Sequence, residues 1–533
     1  MDDILIRGGD VIDGSGAPAR RADVAIRDDR IVAIAHDYGG AARKTIDARG
    51  HVVAPGFIDV KTHSDFTLPL YPRAENRVHQ GITTELVGSC GFTAAPICSG
   101  RLTAVANYLA AMAPAYTFRE ASFAAYVDAF PATSVNVAMQ VGHNTVRVAV
   151  MGLENRAPTA REQAAMEYFV EEALEAGAIA LSSGPFTAPG AFARPQELEA
   201  LVRVAARRGA GYATHLRGEA GSVFDAVDEA IAVAERTGVR TRIVHAKLSG
   251  AGNWGGAPRF LAKLATARDH GVPIDCDHYP YTTALNPLRN LLPASIQEGG
   301  IERMLRRLGD PAARDDIRAE VAARGLNAFG RIASWDAVRI STSPALSSEI
   351  GHTIADAARR RHCDPVDALC AILIADRGAT RGFVAAMEEQ DVRTFVVCPW
   401  VLVGSDGRAS GPGGPLADEL PHPRSYGAFP RILGHYTRDL GLLTLPQAVH
   451  KMTGAPAAAL GLTDRGILRA GAVADITVFD PNTVADRATF DEPRHYPSGI
   501  AHVIVNGAVV IDGGVHTGAL PGRVLRRTAA GVM

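Results

Sequence analysis

The 533-residue sequence predicts an α/β protein. Its core reads as a parallel sheet wrapped in helices, as a (β/α)8 barrel or a doubly wound sheet, joined to a small β domain built from both chain ends. Three observations carry this. Short apolar strand-like runs alternate with helical runs through the middle of the chain. Residues 1–55 and 463–533 read instead as strands and turns. No Gly-x-Gly-x-x-Gly fingerprint follows the first strand, and no Gly-rich loop ends in Lys-Ser/Thr, which disfavours a nucleotide-binding sheet.

Near the N-terminus, Ile4–Ile6, Val24–Ile26 and Ile31–Ile34 cluster or alternate apolar residues between the turn signals Asp13-Gly14-Ser15-Gly16 and Asp28-Asp29. The same texture returns in Ala474–Phe479 and His502–Gly507. Residues 1–55 and 463–533 are therefore assigned to one small β domain around a middle unit, 56–462. The middle unit opens on Pro55-Gly56-Phe57-Ile58-Asp59-Val60, a short apolar strand that runs into Lys61-Thr62-His63-Ser64-Asp65. Thr159-Ala160-Arg161-Glu162 has capping-box form, in which hydroxyl and carboxylate each accept from the other's backbone N–H, and opens a helix to about Ala176. There follow a strand at Ala178–Leu181, a helix from Gln196 to Arg208 and a strand at Gly211–Thr214. A helix over Val223–Arg236, a strand at Thr241–Val244, a helix over Arg259–His270 and a strand at Val272–Asp275 continue the rhythm. Residues 286–345 break it and are expected to form an insertion over the barrel mouth.

Composition excludes several classes of function. A formal net charge of −2, with no long basic block or aromatic–basic interleaving, argues against a nucleic-acid partner. No uninterrupted apolar run approaches the roughly 20 residues of a membrane helix. Met1-Asp2-Asp3-Ile4-Leu5-Ile6 is acidic and enters a strand pattern at once, unlike a signal peptide. Six irregularly spaced cysteines do not describe a disulfide scaffold. A cytoplasmic protein acting on a small molecule is expected.

Barrel enzymes keep their chemistry at the C-terminal ends of the strands. The polar residues there are Lys61 and His63, Cys90 in Gly88-Ser89-Cys90-Gly91, His215, His245 and Lys247, and Asp406 in Ser405-Asp406-Gly407. Cysteine and two histidines are borderline-soft donors, and three of them with an open fourth position describe a catalytic zinc. An aspartate beside a zinc-activated water is a suitable general base. Taken singly, each histidine is an ordinary polar residue, Cys90 a buried apolar thiol and Asp406 a turn residue. Together they are stronger, because every member falls at a predicted strand end.

Gly-Phe-Ile-Asp before His63, Gly-Ser-Cys-Gly at Cys90, Ala-Thr-His-Leu-Arg at His215, His245-Ala-Lys247, Tyr279-Pro280-Tyr281 and Gly-Ser-Asp-Gly at Asp406 resemble the N-acyl-D-amino-acid deacylases (D-aminoacylases) of the amidohydrolase superfamily. So do the runs from His422 to Arg431, Lys451 to Gly454 and Ala472 to Asp480. The resemblance covers nearly the whole chain in order. It implies a distorted (β/α)8 barrel with a small β domain, and hydrolysis of the amide of an N-acyl-D-amino acid. It also implies one tight zinc on Cys90, His215 and His245, with Asp406 as general base and His63 in a second, weaker metal position. Lys247, Tyr279 and, less directly, Arg289 become candidates for the substrate carboxylate or carbonyl, and His278 a neighbour of the metal ligands.

The family pattern has His-x-His where this chain has Lys61-Thr62-His63. A charged ammonium does not ligate a metal and repels one, so Lys61 is expected to weaken the second position or replace it electrostatically. Two alternatives compete with the deacylase reading. A cyclic amidase of the hydantoinase or dihydroorotase type bridges two metals with a carboxylated lysine on a middle strand, and no lysine here fits that role. A degenerate scaffold would have lost several ligands together, whereas Cys90, His215, His245 and Asp406 are all present.

Overall fold

The computed structural model describes residues 1–327, 329–528 and 531–533. Runs of aliphatic and β-branched residues too short for helices form eight parallel strands: β1 (Phe57–Asp59), β2 (Ile82–Val87), β3 (Asn136–Gly142), β4 (Ala180–Ser183), β5 (Gly211–Thr214), β6 (Thr241–Ile243), β7 (Ile274–His278) and β8 (Val401–Val403). Every residue of β2, β3 and β4 is buried, as a parallel sheet covered by helices requires. The strands pair in sequence order without reversal, which excludes the doubly wound alternative. The seam closes just past the ends of β1 and β8. There the Asp406 amide donates to the Lys61 carbonyl and the His63 amide to the Gly407 carbonyl, each at 2.9 Å. The barrel is thus completed by residues of its own candidate active site.

Helices form where capping and periodicity place them. The Thr159 hydroxyl accepts from the Glu162 amide at the head of the helix Ala160–Glu175. The helices Pro195–Arg207, Val223–Thr237 and Ala257–Asp269 follow in turn. Among the described residues no helix is long and apolar enough to cross a membrane.

Both chain ends meet in one nine-stranded sheet, joined by antiparallel pairing of Val52–Pro55 with Ile476–Phe479. Only Gly56 separates this sheet from β1. A Cβ there would lie 2.2 Å from the Thr83 side chain, so no other residue makes the passage without displacing β2. The last segment leaves the small sheet, and Val524–Leu525 pairs with Val137–Ala138 of β3.

Between β7 and β8 the chain makes a long excursion. Thr283–Pro287, Val338–Thr342 and Arg381–Ala385 form an antiparallel sheet with Arg381–Ala385 in the middle. It extends well beyond residue 345. Its later helices, Ile354–Arg361 and Pro365–Ala375, carry the same period as barrel helices, so periodicity alone does not separate them from the barrel.

Candidate metal centre and active site

The strand-end loops hold three site residues in left-handed backbone conformations: Cys90 at φ 56°, His245 at φ 38° and Asp406 at φ 52°. Such conformations cost roughly 1–3 kcal/mol each and persist only where the surroundings impose them. At Cys90 the surroundings are close-packed backbone. A Cβ on Gly91 would meet the Asn144 carboxamide oxygen at 2.4 Å, and one on Gly184 the Cys90 carbonyl at 2.2 Å.

Folding brings Cys90, His215 and His245 together, all buried, with one donor atom of each within 4.8 Å of the others. Cys90 Sγ lies 3.7 Å from His215 Nδ1 and 3.3 Å from His245 Nε2. Both remaining ring nitrogens face one buried carboxylate. Glu219 Oε1 is 3.1 Å from His215 Nε2, in a bent contact, and 3.2 Å from His245 Nδ1. A carboxylate behind the ligand histidines fixes their tautomers and aims their lone pairs forward. Burial pushes His215 down to about 4, so its ring is neutral at physiological pH. Burial also holds His245 low, with Lys247 reinforcing. Burial raises the Cys90 thiol, with Lys61 and Lys247 opposing, so coordination would displace a proton. Burial works against the Glu219 carboxylate, but His215 and Lys247 outweigh it and hold the group well below the carboxylate range. Donor types, tautomers and backing charge all fit a tetrahedral zinc with one open position.

Beside the trio, at the seam, lie Lys61, His63, Asp406 and Arg424. Lys61 Nζ is 3.0 Å from His63 Nε2 and in short contact with Asp406 Oδ1. Asp406 Oδ1 is also 3.3 Å from His63 Nε2, and its Oδ2 takes Arg424 at 2.8 Å. Burial pushes Lys61 down to about 8, with Cys90 opposing and Arg424 reinforcing. Underneath, Asp59 Oδ1 accepts from the Lys61 amide at 3.2 Å and the Ser405 amide at 2.9 Å, so one carboxylate ties β1 to the loop after β8. Arg77 bridges Asp59 and Glu85 beneath it, all three fully buried.

Comparison with known proteins agrees with this geometry. The amidohydrolase family model matches residues 44–511. N-acyl-D-glutamate deacylase of Alcaligenes xylosoxydans xylosoxydans is 40% identical over 99% of this chain and 97% of its own. The chain belongs to the D-aminoacylase group of the amidohydrolase family. The crystal structure of N-acyl-D-glutamate deacylase from Bordetella bronchiseptica, complexed with zinc and a phosphonate mimic of the tetrahedral intermediate, superposes with a TM-score of 0.82. It is 38% identical, covering 98% of this chain and 99% of that one. A D-aminoacylase structure described as a binuclear metal centre, with one-metal activation and second-metal attenuation, gives 0.84. It is 34% identical, covering 99% and 100%.

Against this family background, several of the candidate residues have other engagements. Lys247, a candidate for the substrate carboxylate, donates to Glu219 Oε1 at 2.5 Å and lies 2.5 Å from His245 Nδ1, so its ammonium backs the trio. Arg289 donates to the Tyr108 carbonyl at 2.7 Å, and no hydrogen bond or ion pair joins it to the trio or the seam; among the described residues its Nε has no hydrogen-bond partner. An anionic substrate side chain would call for a cationic pocket, and Arg217, a basic residue two positions after His215, is already occupied by Glu229 at 2.8 Å. Tyr279 is buried against Arg424, whose guanidinium carbon is 4.6 Å from its ring and which also hydrogen-bonds its hydroxyl; that hydroxyl lies 3.9 Å from Met387 Sδ. His278 donates from Nδ1 to the Ala246 carbonyl at 2.7 Å, bracing the chain between His245 and Lys247.

Sequence reasoning missed Glu219, Arg424 and Arg381. Glu219 sits four residues after His215, but in a loop, where that spacing carries no signal. Arg424 lay inside the quoted run from His422. Arg381 carries no local signal. It reaches the site on the middle strand of the excursion, within electrostatic range of His63 and Arg424. It is buried, its Nε and one terminal nitrogen have no hydrogen-bond partner among the described residues, and burial pushes it down to about 9.

Proposed function

We propose that the chain hydrolyses the amide bond of N-acyl-D-amino acids, adding water to release a carboxylic acid and the free D-amino acid. The observation that carries this reading is the buried Cys90–His215–His245 donor trio beside the paired Asp406, in a chain 40% identical along its length to an N-acyl-D-glutamate deacylase. A zinc ion on the trio would polarise the acyl carbonyl and lower the pKa of the attacking water. Asp406 would take the water proton on a carboxylate oxygen and return it to the leaving amine nitrogen. Glu219, behind both histidines, would hold them in the tautomers this requires, with Lys247 balancing its charge. His63 would face the place of a second metal ion at the seam, beside Lys61 and Asp406.

An unpaired buried guanidinium is costly without an anion, so Arg381 is assigned the substrate's α-carboxylate. Arg289, also buried with an unpartnered Nε, is the candidate for a second anionic group on the substrate. The test pairs elemental analysis with hydrolysis of a panel of N-acetyl-D- and N-acetyl-L-amino acids. About one tight zinc and turnover confined to D-substrates is the expected result. Equal turnover of L-substrates, or none of either, would discard the substrate class.

A further inference from the structure

Three side chains with metal-ligating chemistry converge on the Lys61 ammonium. His63 presents Nε2 at 3.0 Å, Asp406 presents Oδ1 in shorter contact, and the Cys90 sulfur hydrogen-bonds the ammonium. A nitrogen, an oxygen and a sulfur donor around one point are the surroundings of a metal ion. An ammonium with three N–H donors meets the same surroundings with the opposite polarity of bond. We propose that Lys61 is a resident cation in the place of a second metal ion, so that the protein binds a single zinc and does not respond to excess zinc. This rests on the reading that Cys90, His215 and His245 hold the first ion.

The lysine has no room to withdraw. Its side chain is 1% exposed, its amide is bound to Asp59 Oδ1, and its carbonyl is bound to the Asp406 amide. Its stem packs on Gly404, where an added Cβ would lie 2.8 Å from the Lys61 Cβ. A divalent ion placed among the same donors would meet a unit positive charge at contact distance in a buried site, where screening by bulk solvent is weak. Asp406 and His63 would also have to exchange the ammonium for the ion. The consequence is functional. In the related D-aminoacylase a second metal is described as attenuating. Here the position is filled by a group that no metal concentration can change.

The test is a calorimetric zinc titration of the metal-free protein, with elemental analysis after gel filtration, on wild type and on Lys61→His and Lys61→Met. Wild type should take one equivalent and keep its rate in a hundredfold excess of zinc. Lys61→His should take a second equivalent and slow as that site fills. Lys61→Met removes the ammonium without adding a donor and should take a second, weaker equivalent, lost again in Lys61→Met/His63→Ala. Two equivalents in wild type would overturn the proposal without need of any variant. So would one equivalent in both Lys61 variants. A wild type that binds no zinc at all would sink the metal-centre reading itself, a different failure.

Discussion

The site contains two copies of one short pattern in opposite orientations: Lys61-Thr62-His63 after β1 and His245-Ala246-Lys247 after β6. In each, a buried ammonium sits against the histidine two residues away. After β6, Lys247 stands behind the ring at Nδ1, on the side of Glu219, and Nε2 is left facing Cys90 Sγ at 3.3 Å. After β1, Lys61 stands at Nε2 itself, on the side of Asp406. The position of the carboxylate decides the outcome. Where the acid lies behind the ring, the lysine supports a metal ligand. Where it lies in front, the lysine fills the space an ion would take.

Several experiments break or sharpen that contrast, beginning with the largest effect. Asp406→Asn alters the front of the seam and leaves the trio intact. Turnover should fall by about 10²–10⁴, the range for loss of a general base, with zinc still bound by elemental analysis. Wild-type rates in that variant would remove Asp406 from the chemistry.

Glu219→Gln alters the back of the trio. It keeps the shape but no longer balances Lys247, and zinc affinity should drop about 10–100-fold. Competition with a chromophoric chelator measures this, and unchanged affinity would mean that Glu219 does not orient the ligands. If the two lysines are as different as they look, Asp406→Asn and Glu219→Gln should affect different quantities, rate in one case and metal affinity in the other.

Arg381→Met should raise KM by roughly 10–100-fold, the worth of one hydrogen-bonded charge, and change kcat less. A substrate whose carboxylate is replaced by an amide should lose most of that sensitivity. The smallest effect is expected at Arg217, whose pair with Glu229 is partly exposed. Arg217→Met should cost less than about 1 kcal/mol in thermal unfolding and leave the preference among acyl amino acids unchanged. A shift in preference would restore Arg217 to the substrate pocket.

Much of the fold was legible because its signals are local. Thr159 and Glu162 announce a helix start that the structure forms, and β5 occupies Gly211–Thr214 as its apolar run indicates. Cys90, His215 and His245 were legible as a group because each follows a strand in a fold whose strands all point their C-termini the same way. The excursion was only partly legible, since helices at Ile354–Arg361 and Pro365–Ala375 look like barrel helices until their contacts are known.

By itself the sequence determined the strand–helix alternation, the pairing of both ends into one small sheet, and the donor types gathered at one rim of the barrel. These follow from periodicity and from residue chemistry, which act over a few positions. Only the tertiary structure decided that Arg381 comes to the site, that Arg217 is taken by Glu229, and that Lys61 and Lys247 face opposite nitrogens of their histidines. Those outcomes depend on which charges meet across the closed barrel. Asp406 reaches Lys61 from 345 residues away along the chain, and no local pattern carries that distance.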